Sequence, residues 1–433
     1  MPESSDIGVR NFQIFPRRFH NESTMSGGPL AGVRVLDLTS IIMAPFATQI
    51  LAGLGADVVK IESPEGDYMR HVGPMRHPGM GHIFLHANRG KRSIVLDIKQ
   101  PSARDALVRM AATADVFITN VRPRAMKRLG LDHPALAAHN ARLIYASCTG
   151  FGQRGPYAAK PAYDDLIQGA AGIPWLMQAY GAPEPCYTPV TLADRLTGLH
   201  AAYAISAALY AREKSGIGQL VEVPMFEAVT QFVLGDHMSG LTFDPPLGEA
   251  GYARLLTAYR RPYATRDGYL CALMYNDKQW RGFFAAIGDP GRFDSDARFT
   301  TLANRAAHIA EVYAFVADVM RTRTTAEWRA LLDTADIPNQ PVNSLAELAN
   351  DPHLRASGFI GTEEHPTEGR LRVMGNPTSW SGTPTGPATP APLLGEHTIE
   401  LLSEAGFSES DIDVLLKTGA AAQSTSSSAA KRS

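Results

Sequence analysis

The chain has 433 residues, room for two or three domains at about 150 residues each, and its 45% hydrophobic content is that of a globular protein. Lys plus Arg total 41 and Asp plus Glu total 43, and this net charge of −2 excludes whole-chain disorder and argues against a dedicated nucleic-acid binder. Cys148, Cys186 and Cys271 are widely spaced and form no CxxC, so they read as reduced thiols of a cytoplasmic protein and not as a disulfide frame or zinc site.

Residues 1–28 are polar and aperiodic, lack the apolar run of a secretory signal, and read as a flexible extension. Short β-rich runs then alternate with helical patterns. VRVLDL (33–38) predicts a strand, and Pro45 to Leu54 a helix closed by Gly55. Further strands are expected at 57–62, 92–98, 115–119 and 142–148, with a helix opening at Pro101. Strands that alternate with helices of about ten residues predict right-handed βαβ units. The fold class is therefore α/β with a parallel sheet. The uncharged stretch 38–56 contains Pro45 and two glycines and leads into a strand, so no membrane span is expected.

The pattern changes near Phe226. Residues 226–334 read as a smaller α+β domain, with strand-like runs around Arg266-Asp267-Gly268 and helices at Asp277–Ile287, Arg305–Met320 and Thr325–Thr334. Residues 335–418 carry helices near 345–349 and 396–405 and read as a return to the first domain, 29–225. From Gly419 to Ser433 the sequence is low in complexity and is expected to be disordered.

Familiar cofactor motifs are missing. The turn Thr39–Pro45 has no GxGxxG, and no P-loop, GxSxG or HExxH occurs, so neither a nicotinamide nor a flavin cofactor is expected. His71, His82 and His86 lack a carboxylate partner, and no metal is expected. In open parallel sheets, ligands bind outside the carboxyl ends of the strands. Those ends here are Thr39–Met43, Glu62-Ser63, Leu96–Lys99 and Asn120–Arg122, with Arg124, Lys127 and Arg128 just beyond. These cationic and amide groups suit a phosphate-bearing anion, or else they are solvated loop charges.

Asp194 directly precedes a long apolar helical run, Leu196 to Lys214, stopped by Gly216. It reads as an N-cap, or as a carboxylate kept ionised at a helix start and able to attack an activated carbonyl. On the second reading, Gly198 leaves room for a ligand beside the backbone.

PLAGVRVLDL, LAGLGADVVKIE, NRGKRSIVLDIK, ADVFITNVRP, LIYASCTGFGQRGPYAAKPAYDDLIQ, LADRLTG and PLLGEHT occur in this order. Together they resemble the class III CoA-transferases of CaiB/BaiF type, over about Pro29 to Lys417. The resemblance implies a Rossmann-like large domain, an inserted small domain and an interlocked homodimer. It also implies transfer of CoA from an acyl-CoA donor to a carboxylic acid acceptor. Asp194 is the implied nucleophile, forming a mixed aspartyl anhydride, and Asp164 is the implied second active-site acid, or else a helix cap. The implied CoA contacts are Ile42, Met43, Leu96, Asp97, Ile98, Lys99, Asn120, Val121, Arg122, Arg128, Lys160, Pro161, Ala162 and Tyr163. Coenzyme A is a substrate in this scheme, and no nucleic acid, membrane or metal enters it.

The resemblance departs at Met43-Ala44-Pro45, at Ser63 and in the absence of a glycine-rich loop between Gly251 and Gly268. A racemase branch of the same fold uses a His-Asp pair where this chain has Tyr163-Asp164, and a tyrosine with a pKa near 10 is a poor base. A non-catalytic CoA-ester binding protein is the other alternative. Tyr259, Arg260, Arg261 and Tyr263 either contact the acceptor or pack in the small domain.

Overall fold

The computed structural model describes residues 27–424. The strands are β1 (Arg34–Leu38), β2 (Asp57–Glu62), β3 (Lys91–Leu96), β4 (Val116–Thr119), β5 (Ile144–Thr149) and β6 (Leu220–Pro224). They continue with β7 (Tyr263–Ala264), β8 (Tyr269–Ala272), β9 (Asn339–Pro341), β10 (Ile360–His365), β11 (Gly369–Met374) and β12 (Ala421–Ala422). A seven-stranded sheet has the order β12-β3-β2-β1-β4-β5-β6, and β1 to β6 run parallel.

The sheet is covered on both faces, which is why its central strands read as near-continuous apolar runs. Alternation sends neighbouring residues to opposite sides. Val35, Val58 and Val116 pack with the helices Met43–Gly53 and Leu192–Ser215. Leu36, Val59 and Phe117 pack on the other side, with the helices Pro101–Ala111, Thr398–Glu404 and Glu409–Lys417. A separate aromatic core of Trp280, Phe283, Phe284, Phe299 and Trp328 lies under the small sheet β7-β8-β9. The β10–β11 hairpin stands apart as its own two-stranded sheet.

Most expected elements are present within a residue or two. The helical stretch 305–320 divides at His308 into Leu302–Ala307 and Ile309–Met320. The tail expectation is corrected for its first residues. Ala421 and Ala422 pair antiparallel with Leu96 and Val95, and Ala420 and Ala421 are fully buried. Composition reads GAAA as low complexity, yet small side chains fit beside the open edge of β3 and satisfy its backbone groups. The rest of that tail, and residues 1–26 of the expected extension, lie outside the described residues. Gly27 and Gly28 pack tightly on Leu54 and Gly55. No helix among the described residues is long and apolar enough to cross a membrane.

Candidate active site

The order of the parallel strands reverses between β1 and β4, the topological switch point at which doubly wound sheets open a ligand crevice. One side chain ties the two strand ends together. Asn120, just after β4, donates Nδ2 to the Ser40 carbonyl at 2.8 Å and accepts the Ser40 N–H at 3.1 Å. The next residue, Ile41, has φ of 76°, a left-handed conformation that is strained for a β-branched side chain. Its N–H donates to Asp67 Oδ1 at 3.1 Å. The helix Met43–Gly53 starts directly after this turn with no side chain capping it.

A buried polar network under the turn holds this arrangement. Lys60 Nζ donates to the Thr39 carbonyl at 3.0 Å and to Asp67 Oδ2 at 2.8 Å. Lys91 Nζ bridges Asp37, Asn88 and the Pro45 carbonyl at 2.8–3.0 Å. Glu62 takes a fork from Arg70, at 2.7 and 2.8 Å, and the Ser93 hydroxyl at 2.7 Å. Burial alone pushes Asp37 and Glu62 up, but the Lys91 and Lys60 ammonium groups on the first, and Arg70 on the second, hold both below the ordinary carboxylate range. Each buried charge therefore has a partner, as its low-dielectric surroundings demand.

Asp194 lies in the first turn of the 24-residue helix Leu192–Ser215, whose cap position is Thr191. It is not the N-cap expected from sequence, because the helix begins two residues earlier. Its own backbone N–H donates to Asp164 Oδ1 at 2.9 Å, and Asp164 Oδ2 accepts Gln168 Nε2 at 2.6 Å. Asp164 is the first residue of the helix Asp164–Ala170, yet it serves the start of the other helix. The Asp194 carboxylate makes no hydrogen bond or ion pair among the described residues, while the residue is 9% exposed. Burial, and then the Asp164 charge, push it up to about 7, against the opposing pull of Arg195. Among the described residues no N–H group donates to this carboxylate, in contrast to the expected support at a helix start, and the Arg195 charge is what opposes its burial.

Gly198 has a different purpose from the one expected. A β-carbon there would sit 2.6 Å from the Met43 carbonyl oxygen and 2.9 Å from the Phe46 ring. No ligand approaches through that space. Gly198 lets the Asp194 helix close against the start of the Met43–Gly53 helix, one turn beyond Asp194. The Arg195 guanidinium lies over the Phe46 ring, 4.6 Å from its centre, and reinforces the same contact.

The remaining sequence candidates divide by exposure. Lys99, Arg122, Arg128, Lys160, Pro161 and Tyr163 are exposed, and Lys160 Nζ stands 3.7 Å from the centre of the Tyr157 ring. Asn120, Val121, Asp97, Ile98 and Ala162 are half-buried. Asp97 is engaged with its own loop, accepting the Lys99 N–H and Gln100 Nε2, both at 3.2 Å. The Ile42, Met43 and Leu96 side chains are buried in the core, so these residues can meet a ligand only through the backbone. The Lys160–Tyr163 segment reaches the β5 end because Gly150 has no side chain: a β-carbon there would lie 2.1 Å from that of Ala162. Sequence reasoning missed Arg104, whose Nη1 binds the Ile98 and Lys99 carbonyls at 3.1 and 2.9 Å and shapes the loop after β3. Its position in the first turn of the helix from Pro101 was the available signal. Tyr263 packs in the small aromatic core, the second of its two readings, while Tyr259 is exposed. No cluster of metal-ligating side chains occurs among the described residues.

The sequence model of CoA-transferase family III matches residues 30–398. The chain is 34% identical over 385 residues to the succinate–glutarate CoA-transferase of Agrobacterium fabrum, covering 87% of this chain and 95% of that protein. It is also 34% identical over 383 residues to the acetyl-CoA:oxalate CoA-transferase of Acetobacter aceti, covering 87% and 96% respectively. The crystal structure of a CaiB/BaiF family protein from Brucella suis superposes with a TM-score of 0.74 at 32% identity, covering 88% of this chain and all of that one. A family model that matches most of the chain and relatives of this identity and coverage lead to one conclusion: the chain belongs to CoA-transferase family III.

Proposed function

We propose that the protein moves CoA from an acyl-CoA thioester to a carboxylic acid by covalent catalysis on Asp194. The observation that carries this reading is a buried carboxylate without a hydrogen-bond or ion-pair partner among the described residues, pushed up to about 7, on a helix packed against the one that opens after β1. A desolvated carboxylate is a stronger nucleophile than a hydrated one, provided that it is ionised at the working pH. One Asp194 oxygen attacks the thioester carbonyl, and the carbon–sulfur bond breaks to release the CoA thiolate. The product is a mixed anhydride on Asp194. The thiolate then attacks the aspartyl carbonyl, which frees the donor acid and leaves an aspartyl thioester. The acceptor carboxylate attacks the aspartyl thioester and expels the CoA thiolate, giving a second mixed anhydride. The thiolate then attacks the acceptor carbonyl to release acceptor-CoA and regenerate the Asp194 carboxylate. Each intermediate keeps the reactivity of an activated acyl group, so no nucleotide or metal enters the scheme.

Negative charge develops on a carbonyl oxygen in each attack and calls for preorganised N–H donors. The uncapped start of the Met43–Gly53 helix, held against the Asp194 helix at Gly198, supplies backbone N–H groups of that kind. The CoA phosphates fall to Lys99, Arg122, Arg128 and Lys160, whose exposed cations ring the strand ends. Backbone atoms of Ile42, Met43 and Leu96 to Ile98, together with Asn120, Val121 and Pro161 to Tyr163, line the path of the pantetheine chain. We also propose a homodimer. The Asp194 helix exposes Leu199, Tyr203 and Tyr210 along one face, with Phe232 nearby in sequence on the helix that follows β6, an apolar surface that favours burial against a second chain. The large sheet and the separate aromatic core of residues 263–337 are compatible with an inserted small domain. The three unpaired cysteines suit a reducing cytoplasm.

The test is incubation of the enzyme with one acyl-CoA and a panel of carboxylic acids, followed by chromatography of the thioesters. A new acyl-CoA that requires both the acid and Asp194 supports the reading. Exchange of the α-hydrogen with solvent in the absence of any acid would point to the racemase reaction instead.

A further inference from the structure

The β10–β11 hairpin has one face turned into the protein and one turned out. His365 and Val373 are buried, and Glu363 on the same side pairs with Arg89 at 2.7 Å. The register sets Thr362 opposite Arg372 and Glu364 opposite Arg370 on the other side. The hairpin, with Arg76, Ala349 and Arg355, lines an open recess of about 860 Å³ whose arginines are all solvent-exposed. Four arginines line it, and it shares no residue with the rim of the switch-point crevice.

None of these four guanidinium groups forms an ion pair among the described residues. Most of the acids nearby are engaged elsewhere. Glu363 is held by Arg89, Glu368 by His77 at 3.0 Å, and Glu347 by the Ser344 cap, while Glu364 is exposed and bridges to none of them. Two of the arginines are held in place by neutral groups. Arg76 donates to the Glu368 carbonyl and, at 3.4 Å, to the Arg370 carbonyl, and it lies over the turn at Gly369. Arg355 donates to Asn350 Oδ1. Gly369, at the hairpin turn, has φ of 63°, a left-handed conformation that favours glycine.

Like charges gathered in one recess repel each other unless an anion joins them, and this gathering occurs in a chain whose net charge is −2. Guanidinium forks match phosphate oxygens in pairs and shed water more readily than ammonium groups. Ile360, Leu371 and Ala349 add apolar wall, which gives an organic body a place beside its phosphates. The volume lies within the ordinary range for small-molecule sites, about 300–1,000 Å³. We propose that this recess is a second ligand site, distinct from the CoA crevice, that binds a phosphate ester of nucleotide size through Arg76, Arg355, Arg370 and Arg372.

The experiment is isothermal titration of the full-length enzyme with ATP as the probe, at low salt and in the presence of saturating CoA. Saturable binding is expected, and it weakens at least about tenfold in the double variant Arg370→Gln, Arg372→Gln, while CoA transfer without nucleotide keeps its wild-type rate. The single variant Arg355→Gln, on the neighbouring helix, weakens binding independently and serves if the double variant is misfolded by circular dichroism. Absence of saturable heat, heat that CoA abolishes, or equal affinity in these variants would overturn the proposal.

Discussion

Asp164 Oδ1 accepts the backbone N–H of Asp194 at 2.9 Å, so one buried carboxylate holds the start of the helix that carries the other. The bond fixes where Asp194 stands, and the charge behind it helps to push Asp194 up to about 7. Asp164→Asn keeps an oxygen acceptor but removes the charge. Its kcat/KM against pH should therefore turn at a lower pH than that of the wild type, with the fold intact. Asp164→Ala leaves a buried N–H without its partner and should cost about 1–3 kcal/mol in denaturant unfolding. Superimposable pH profiles for wild type and Asp164→Asn would reduce Asp164 to a helix cap.

Asp194 itself costs stability when it is charged. Its carboxyl is raised from 3.8 to about 7, so the penalty is fully present above pH 7, is relieved as pH falls from 7 to 3.8, and is gone below 3.8, where folded and unfolded chains are both protonated. Asp194→Asn should accordingly melt a few degrees higher than wild type at pH 8, and the gain should fade toward pH 4. The same variant should lose CoA transfer at every pH. Thermal melts across this range, read beside the activity, check both halves of the statement.

Gly198→Ala places a β-carbon 2.6 Å from the Met43 carbonyl, a backbone atom that cannot swing aside. The two helices must part, at a cost of about 1–3 kcal/mol in unfolding free energy. The Asp194 carboxylate moves with its helix, so kcat should fall more than the affinity for CoA does. A variant as stable and as active as the wild type would show that the close approach of the helices is dispensable.

Lys60 links the Thr39 carbonyl to Asp67, and Asp67 in turn holds the left-handed Ile41. Lys60→Met strands Asp67 in a buried site without its cation, and breaking such a pair costs about 3–5 kcal/mol. Chemical denaturation should show a loss of that size. At temperatures where the variant stays folded, weaker CoA binding should follow from the released turn.

The sheet was largely legible from the sequence. Buried parallel strands read as apolar runs and their helices carry Pro and Gly at the expected ends, as at Pro101 and Gly216. β6 and β12 were not legible. LVEVP is only partly buried at a sheet edge and AA is too short to carry a period. The strand-end rule points to the residues that follow the strands, but it cannot separate backbone from side-chain candidates. Ile42, Met43 and Leu96 look accessible in a loop-like reading and are buried once the sheet closes over them. Gly198 was misread because one sequence shows that a side chain is missing, not which helix fills its place. The Asp164–Asp194 bond spans 30 positions and is a tertiary relation with no local signature.

The most direct measurement is mass spectrometry of the wild-type enzyme quenched with hydroxylamine during turnover of an acyl-CoA and an acid. The account predicts an aspartyl hydroxamate on the peptide that contains Asp194, formed only when the thioester is present. Continued CoA exchange with that side chain unmodified would contradict it.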